Sequence, residues 1–400
     1  MHNGGVSASP IKYMNLCVRE HVPADVDLVI IEYAVNQMLP DKSIAKSDPV
    51  QQYERLVRKL IRFPNRPAII LLQTFSWSRG FNRIAHNSWS SFFETPEDHF
   101  AVVAKYYGLP SLSLRDAIFH NVLRLERGYA ISDVLGDCKQ TDLDRNAKPE
   151  PGPGLCRHPN SFGHGLLANL TINYLIEAFD AIHADPSQNR PEPHWEIPIP
   201  MYNFNEPREG DKRCYRAESL HDIVVDKGGW EYIVEGTSAN PKPGYAAYTP
   251  GKAITLQVDS RPASNMTAKH GADVLAMKIS IGYLQSYEHM GKAALSCENC
   301  KCEPYGESLH SSKEDELGRR LIDAHMDLRE STLGMWFMKI SEHAECRIKL
   351  ETVEDTTSGE HKFKITNIVL GELPGEEVDG FYLQSEKQKS YVGVDDSFRR

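Results

Sequence analysis

The chain has 400 residues, 40% of them hydrophobic and 25% charged, which is enough for two globular domains and excludes a chain disordered throughout. A formal net charge of −10 with no basic stripe argues against a nucleic-acid partner. No apolar run reaches the ~18 residues a membrane span needs, and Met1-His2-Asn3-Gly4-Gly5 lacks the charged and then apolar pattern of a signal peptide.

Residues 1 to 24 carry a glycine pair, Gly4 and Gly5, and a helical piece around Tyr13 to Arg19. The stretch from Asp27 to Gln37 then holds a short β-branched apolar run, Leu28 to Val35, as expected of a buried parallel strand. It ends at Asn36, whose amide stands where strand ends of open α/β sheets meet ligands and can donate to a developing oxyanion.

Asp48-Pro49 predicts an N-cap with proline in the first turn, and a helix over Val50 to Phe63 burying Tyr53, Leu56, Val57, Leu60 and Ile61. Ala68 to Thr74 reads as a second buried strand, followed by a long loop, Phe75 to Phe93, whose Trp77 and Trp89 fit either a pocket lining or the sheet rim. Thr95-Pro96-Glu97-Asp98 caps a helix ending near Gly108, and Pro110 to Leu114 gives a short strand before Arg115 to Ile118. This alternation predicts an α/β fold with a parallel sheet in a three-layer α/β/α sandwich.

Residues 133 to 156 form a Pro/Gly-rich loop bracketed by Cys138 and Cys156, either bridged or free thiols. Arg157-His158-Pro159-Asn160-Ser161-Phe162-Gly163-His164-Gly165 follows. Pro159 biases His158 to an extended backbone, which sets the imidazole at a helix entrance, a place for a general base as well as for a histidine that merely satisfies backbone groups. Asn160 or Ser161 can cap the helix, which is expected to bury Leu166, Leu167, Leu170, Leu175, Ala178, Phe179 and Ile182.

The proline-rich stretch from 185 to 213 reads as an extended linker. Beyond Cys214 the periodicity changes to strand-like runs: Trp230 to Val234, Ala253 to Val258, Val274 to Tyr283, Met335 to Ile340, Cys346 to Leu350 and Phe363 to Leu370. They predict an all-β sandwich over 214 to 374, with 375 to 400 a disordered tail. Cys297, Cys300 and Cys302 read first as disulfides with Cys346 taking one partner, a zinc site completed by Cys346, His310 or His325 and free thiols being the alternatives. Trp230, Tyr245, Tyr248 and Tyr283 suit a core better than a sugar-binding face. Asn169-Leu170-Thr171 and Asn265-Met266-Thr267 are glycosylation sequons, Asn169 lying within the helix; with eight cysteines they favour the secretory pathway or the extracellular space.

A strand ending in Glu-Tyr-Ala-Val-Asn, with a late His-Pro-Asn opening the last helix, resembles the SGNH, or GDSL-type, hydrolases over about residues 1 to 184. Ser286-Tyr287-Glu288-His289-Met290-Gly291, together with Ser296-Cys297, resembles the C-terminal β-domain of algal and plant members. The resemblance implies a flavodoxin-like sheet and an ester hydrolase, with His158 as base, Asn36 as oxyanion donor and the Gly4 and Gly5 backbone as further donors. Its substrate would be a small-molecule or carbohydrate ester; no cofactor and no metal are implied, and no membrane span or nucleic acid is expected. Two departures stand out. No Gly-Asp-Ser nucleophile block occurs, so the hydrolase domain is expected to be N-terminally incomplete, and the residue three before His158 is Leu155 rather than Asp. Asp137, Asp142 and Asp144 are the nearby acids, and Ser7 and Ser9 stand in for the nucleophile only loosely. The alternative is a glycan-binding pseudoenzyme.

Overall fold

The computed structural model describes residues 2–6, 9, 11–35, 47–75, 95–124, 126–136, 158–184, 196–202, 214–238, 240–261, 275, 277–304, 313–327, 329 and 331–372. The chain divides into two compact units. Met1–Pro23 joins Arg208–Glu386 in one, so helix α1 (Ile11–His21), expected with the α/β half, packs instead with strands of the C-terminal half. The other unit is Ala24–Pro207.

In the α/β unit, β1 (Leu28–Ile31), β2 (Ala68–Gln73) and β3 (Ser111–Ser113) form a parallel sheet in that order. Leu28 to Ile31 lie opposite Ala68 to Leu71, and Leu71 to Gln73 opposite Ser111 to Ser113. The β1 run is shorter and less buried than its composition suggests. Ile30 is 46% exposed and Ile31 is buried, the two side chains pointing to opposite faces of the sheet.

Helix α2 (Asp48–Ile61) buries Tyr53, Leu56, Val57, Leu60 and Ile61 as its periodicity predicts, although its N-cap is Ser47, not Asp48. It stacks Tyr53 on Phe100 of α3 (Pro96–Tyr107), with ring centroids 4.2 Å apart. Helix α3 begins with the expected capping box between Thr95 and Asp98 and ends at Gly108, whose φ of 64° is a left-handed turn that glycine adopts without strain. Between α2 and α3 a buried polar network forms. Arg58 Nη1 donates to Tyr107 Oη at 2.9 Å and Tyr107 Oη donates to Glu54 Oε1 at 2.6 Å. The same network holds part of the proline-rich stretch. Arg58 donates to the Pro198 carbonyl, Tyr106 to the Ile199 carbonyl, and the Met201 N–H donates to Glu54. Residues 196–202 are therefore tied down to α2 and α3 rather than acting as a free spacer.

Helices α4 (Leu114–Leu123), α5 (Ile131–Val134) and α6 (Ser161–Ala184) also belong to the unit. Val134, Leu135 and Leu167 share an apolar cluster with Phe75, Leu114 and Ile118. Along α6 only Gly163, Leu167 and Thr171 are buried. Phe179 and Ile182, expected in the core, are 60% and 69% exposed, while Leu175 and Ala178 are half-buried.

The C-terminal half is a sandwich of antiparallel strands, as its alternating runs predict. One sheet orders β12 (Lys313–Glu314), β13 (Arg320–Asp323), β10 (Lys292–Glu298), β15 (Cys346–Thr352), β8 (Ala253–Val258) and β5 (Val224–Asp226). The other orders β11 (Cys302–Pro304), β14 (Ser331–Ile340), β9 (Met277–Ser286), β16 (Phe363–Glu372), β7 (Asn240–Ala247) and β6 (Glu231–Thr237), and β4 (Cys214–Arg216) pairs with β16. Ile254, Leu256, Ile348 and Leu350 from the first sheet share one core with Ile279, Ile281, Trp336 and Ile365 from the second. Trp230, Tyr245 and Tyr283 are buried there, and of the four suggested aromatics only Tyr248 is exposed.

Helix α1 covers the outer face of the second sheet, where Tyr13 and Cys17 cluster with Cys214, Phe337 and Val369. A disulfide, Cys17–Cys214, fixes it there, a link that spacing alone did not reveal. Cys297–Cys302 and Cys300–Cys346 are also bridged, so this cluster is a disulfide pair and not a zinc site. Cys138, Cys156 and Asn265 lie outside the described residues, and Asn169 is exposed on α6.

Candidate active site

The His158 loop is built by its own short-range chemistry. Asn160 Oδ1 accepts the Gly163 N–H at 2.9 Å, the N-cap expected for α6, while its Nδ2 donates to the Asp133 carbonyl at 2.9 Å. The Asn160 N–H bonds to the Val134 carbonyl and the Gly136 N–H to the His158 carbonyl, both at 3.0 Å, and Leu135 bridges Pro159. His158 is thus an exposed side chain whose own carbonyl, with the following Pro159 and Asn160, is held against Val134 to Gly136. Gly163 explains the glycine in the motif. A Cβ there would sit 2.2 Å from the Val134 carbonyl oxygen, so no larger residue allows α5 and α6 to meet this closely.

The carboxyl ends of the parallel strands carry an unusual amount of buried polarity. Just beyond β1, Glu32 Oε1 accepts the Val35 N–H at 3.1 Å and the Thr74 N–H at 3.3 Å, tying together the ends of β1 and β2. Burial pushes the Glu32 carboxyl up to about 7, against the opposing pull of those backbone donors. Beside β3, Arg115 pairs with Asp98 at 2.9 Å, Asp116 at 3.2 Å and the buried Glu97 at 3.4 Å. Burial likewise raises Glu97 to about 7, despite a hydrogen bond from Ser113 and the attraction of Arg115. The Arg115 guanidinium also lies over the Phe75 ring, 5.9 Å from its centroid. Phe75 and Leu114 follow the ends of β2 and β3, and they share their apolar cluster with Val134 and Leu135, the residues that clamp the His158 loop.

Sequence reasoning passed over Glu32 and Glu97. The signal for Glu32 was present: a carboxylate inside an apolar run is seldom buried without a task. Glu97 looked like an ordinary first-turn acid, and only Arg115, brought from the next helix, shows otherwise. Asn36 lies outside the described residues, as do Asp137, Asp142, Asp144, Leu155, Ser7, Trp77 and Trp89. Gly4 and Gly5 lie in the part of the chain that clusters with the β unit. There a Cβ on Gly4 would meet the His21 carbonyl oxygen at 2.6 Å, and the Gly5 N–H donates to Asn3 Oδ1 at 3.0 Å. Ser9 is buried, with its hydroxyl donating to the Val6 carbonyl at 2.9 Å. Among the described residues no group of three or more His, Cys, Asp or Glu side chains is arranged to hold a metal ion, and no helix is long and apolar enough to cross a membrane.

No protein-family model matches the sequence, and no curated protein matches it. Solved structures do. A two-domain esterase (CEX) active on acetylated mannans matches 92% of this chain and 80% of its own, at 17% identity and a TM-score of 0.55. The same esterase co-crystallised with mannopentaose matches 92% of this chain and 79% of its own, at 18% identity and a TM-score of 0.56. The two-domain, sheet-rich fold is therefore that of a known esterase.

Proposed function

We propose that the α/β unit is a hydrolase domain of the SGNH type, a three-layer flavodoxin-like sandwich, and that the protein is an ester hydrolase by descent, directed at an acylated carbohydrate. The observation that carries this reading is the clamped His158 loop at the entrance of the last helix, in a unit whose first parallel strand leads into Asn36. The likeness of fold to an esterase over 92% of the chain supports it. His158 is the proposed base and Asn36 the proposed oxyanion donor. The Gly4 and Gly5 backbone is the further proposed donor, with the Gly5 N–H bonded to Asn3 Oδ1 in this structure. The three described disulfides favour the secretory pathway or the extracellular space.

The sequence holds no Gly-Asp-Ser, and Leu155 stands where an acid would orient His158. In the worked serine-protease triad, oxyanion donors and binding alone leave ~10³–10⁴-fold over water. The purified chain is therefore expected to take no fluorophosphonate label and to release acetate from p-nitrophenyl acetate or acetylated mannan no faster than His158→Ala. Labelling that maps to one serine, and is lost in both its alanine variant and His158→Ala, would instead identify a nucleophile outside the usual block. The same two departures favour a second reading, a glycan-binding protein that keeps the hydrolase fold without its chemistry.

A further inference from the structure

Among the described strands the two sheets end on one side at β12, next to β13, and at β11, next to β14, and between them lies a crevice of about 500 Å³. That is within the ~300–1,000 Å³ of ligand sites. Leu295, Trp336 and Met338 line it from inward-facing positions.

Arg320 also takes an inward-facing position, since residues two apart on a strand point the same way and Ile322 is in the core. Glu314 lies directly opposite Arg320 in the β12–β13 register, and Arg320 Nη1 meets Glu314 Oε1 at 2.8 Å. Their side chains are 35% and 48% exposed. An ion pair that faces into a sandwich yet stays wet marks the place where the layers part. The Cys297–Cys302 bridge joins β10 to β11 across this opening, and Cys300–Cys346 ties the intervening turn to β15, so the mouth is held covalently.

We propose that this crevice binds a neutral saccharide chain, with the half-exposed Arg320–Glu314 pair bonding its hydroxyls at the rim above the buried Trp336 and Met338. A guanidinium offers only donors and a carboxylate only acceptors, so the pair matches a hydroxyl, which is both. The charges lining the crevice nearly cancel: Lys301 and Arg320 stand against Glu303 and Glu314, and Arg319 is neutralised by Asp315 at 2.7 Å and Glu351 at 3.0 Å. The Trp336 indole N–H is buried and has no acceptor among the described residues. A second groove, which shares Glu314 and Arg319 with the first, is lined by Asp315, Glu316, Glu351 and Asp355, and these carboxylates disfavour an acidic chain.

This inference rests on the reading of the protein as directed at carbohydrate, and its test is independent of hydrolysis. Isothermal titration of the full chain with mannopentaose, xylopentaose and cellopentaose should find at least one that binds. Arg320→Gln and Glu314→Gln, both at the wet rim, should each weaken it about tenfold or more, the effect of a charge-assisted hydrogen bond. Trp336→Phe should abolish the ligand-induced change in tryptophan emission, and His158→Ala should bind like the parent. Unchanged affinity in both rim variants would overturn the crevice, as would failure of all three pentasaccharides to bind or loss of binding in His158→Ala. Acetate release judges the hydrolase reading separately, so either can fail alone.

Discussion

Glu32 shows how one side chain connects the sheet to its loops. Its folded-state pKa is raised to about 7 from an ordinary 4.5, so the folded state holds the proton more tightly than the unfolded chain. The associated stability is present below about pH 4.5 and is lost as pH rises towards 7 and above. Glutamine keeps the acceptor for Val35 and Thr74 without the ionisation. Glu32→Gln is therefore expected to match the parent at pH 4.5 and to be more stable at pH 8 by about 1–3 kcal/mol, read from denaturant midpoints. Gly163 makes the opposite kind of demand, for space. Gly163→Ala should destabilise the α/β unit by about 2–4 kcal/mol, because the new methyl meets a backbone carbonyl that cannot move aside. A thermal melt within experimental error of the parent would show that the α5–α6 approach is looser than described.

At the scale of elements, helices are held by links that reach far along the chain. The Cys17–Cys214 bridge spans a sequence separation of 197, and the loop-entropy account gives such a closure roughly 5 kcal/mol. Replacing both cysteines by serine should lower the melting temperature of the β unit and leave that of the α/β unit unmoved. A shift in the α/β transition alone would mean that α1 belongs with the parallel sheet after all. Glu54 is buried and accepts from Tyr107, Met201 and Tyr202. Glu54→Ala leaves the Tyr107 hydroxyl and the Met201 and Tyr202 N–H groups without this acceptor, so a cost of about 2–4 kcal/mol is expected, with faster hydrogen exchange in 196–202 as the local signature.

For the whole molecule, two units with separate cores should melt in two calorimetric transitions with opposite responses to acid. In the α/β unit Glu32 and Glu97 both contribute stability as pH falls from 7 towards 4.5. In the β unit His21 is buried, its Nε2 2.8 Å from the Tyr13 hydroxyl, and burial with the nearby Arg216 lowers it to about 3. Its stability is fully present above pH 6.5 and is lost as pH falls towards 3, about 2 kcal/mol of it by pH 5. Scans at pH 7.5 and pH 5 should therefore move the two transitions apart in opposite directions, and His21→Gln should flatten only the second. Parallel movement of both would remove these three groups as the source.

The sequence by itself determined the local order of the chain: the buried face of α2, the capping box at Thr95, the Asn160 cap and the alternating strands beyond Cys214. Each of these rests on contacts within a few residues, which spacing and side-chain type record directly. Only the tertiary structure decided the rest. It set α1 on the β sandwich, left Phe179 and Ile182 in water, gathered Glu97 to Arg115, and turned Arg320 into an opening between sheets. Those outcomes depend on which distant surface arrives against a side chain, and hydrophobic burial, being non-directional, leaves no mark of its partner in the local pattern.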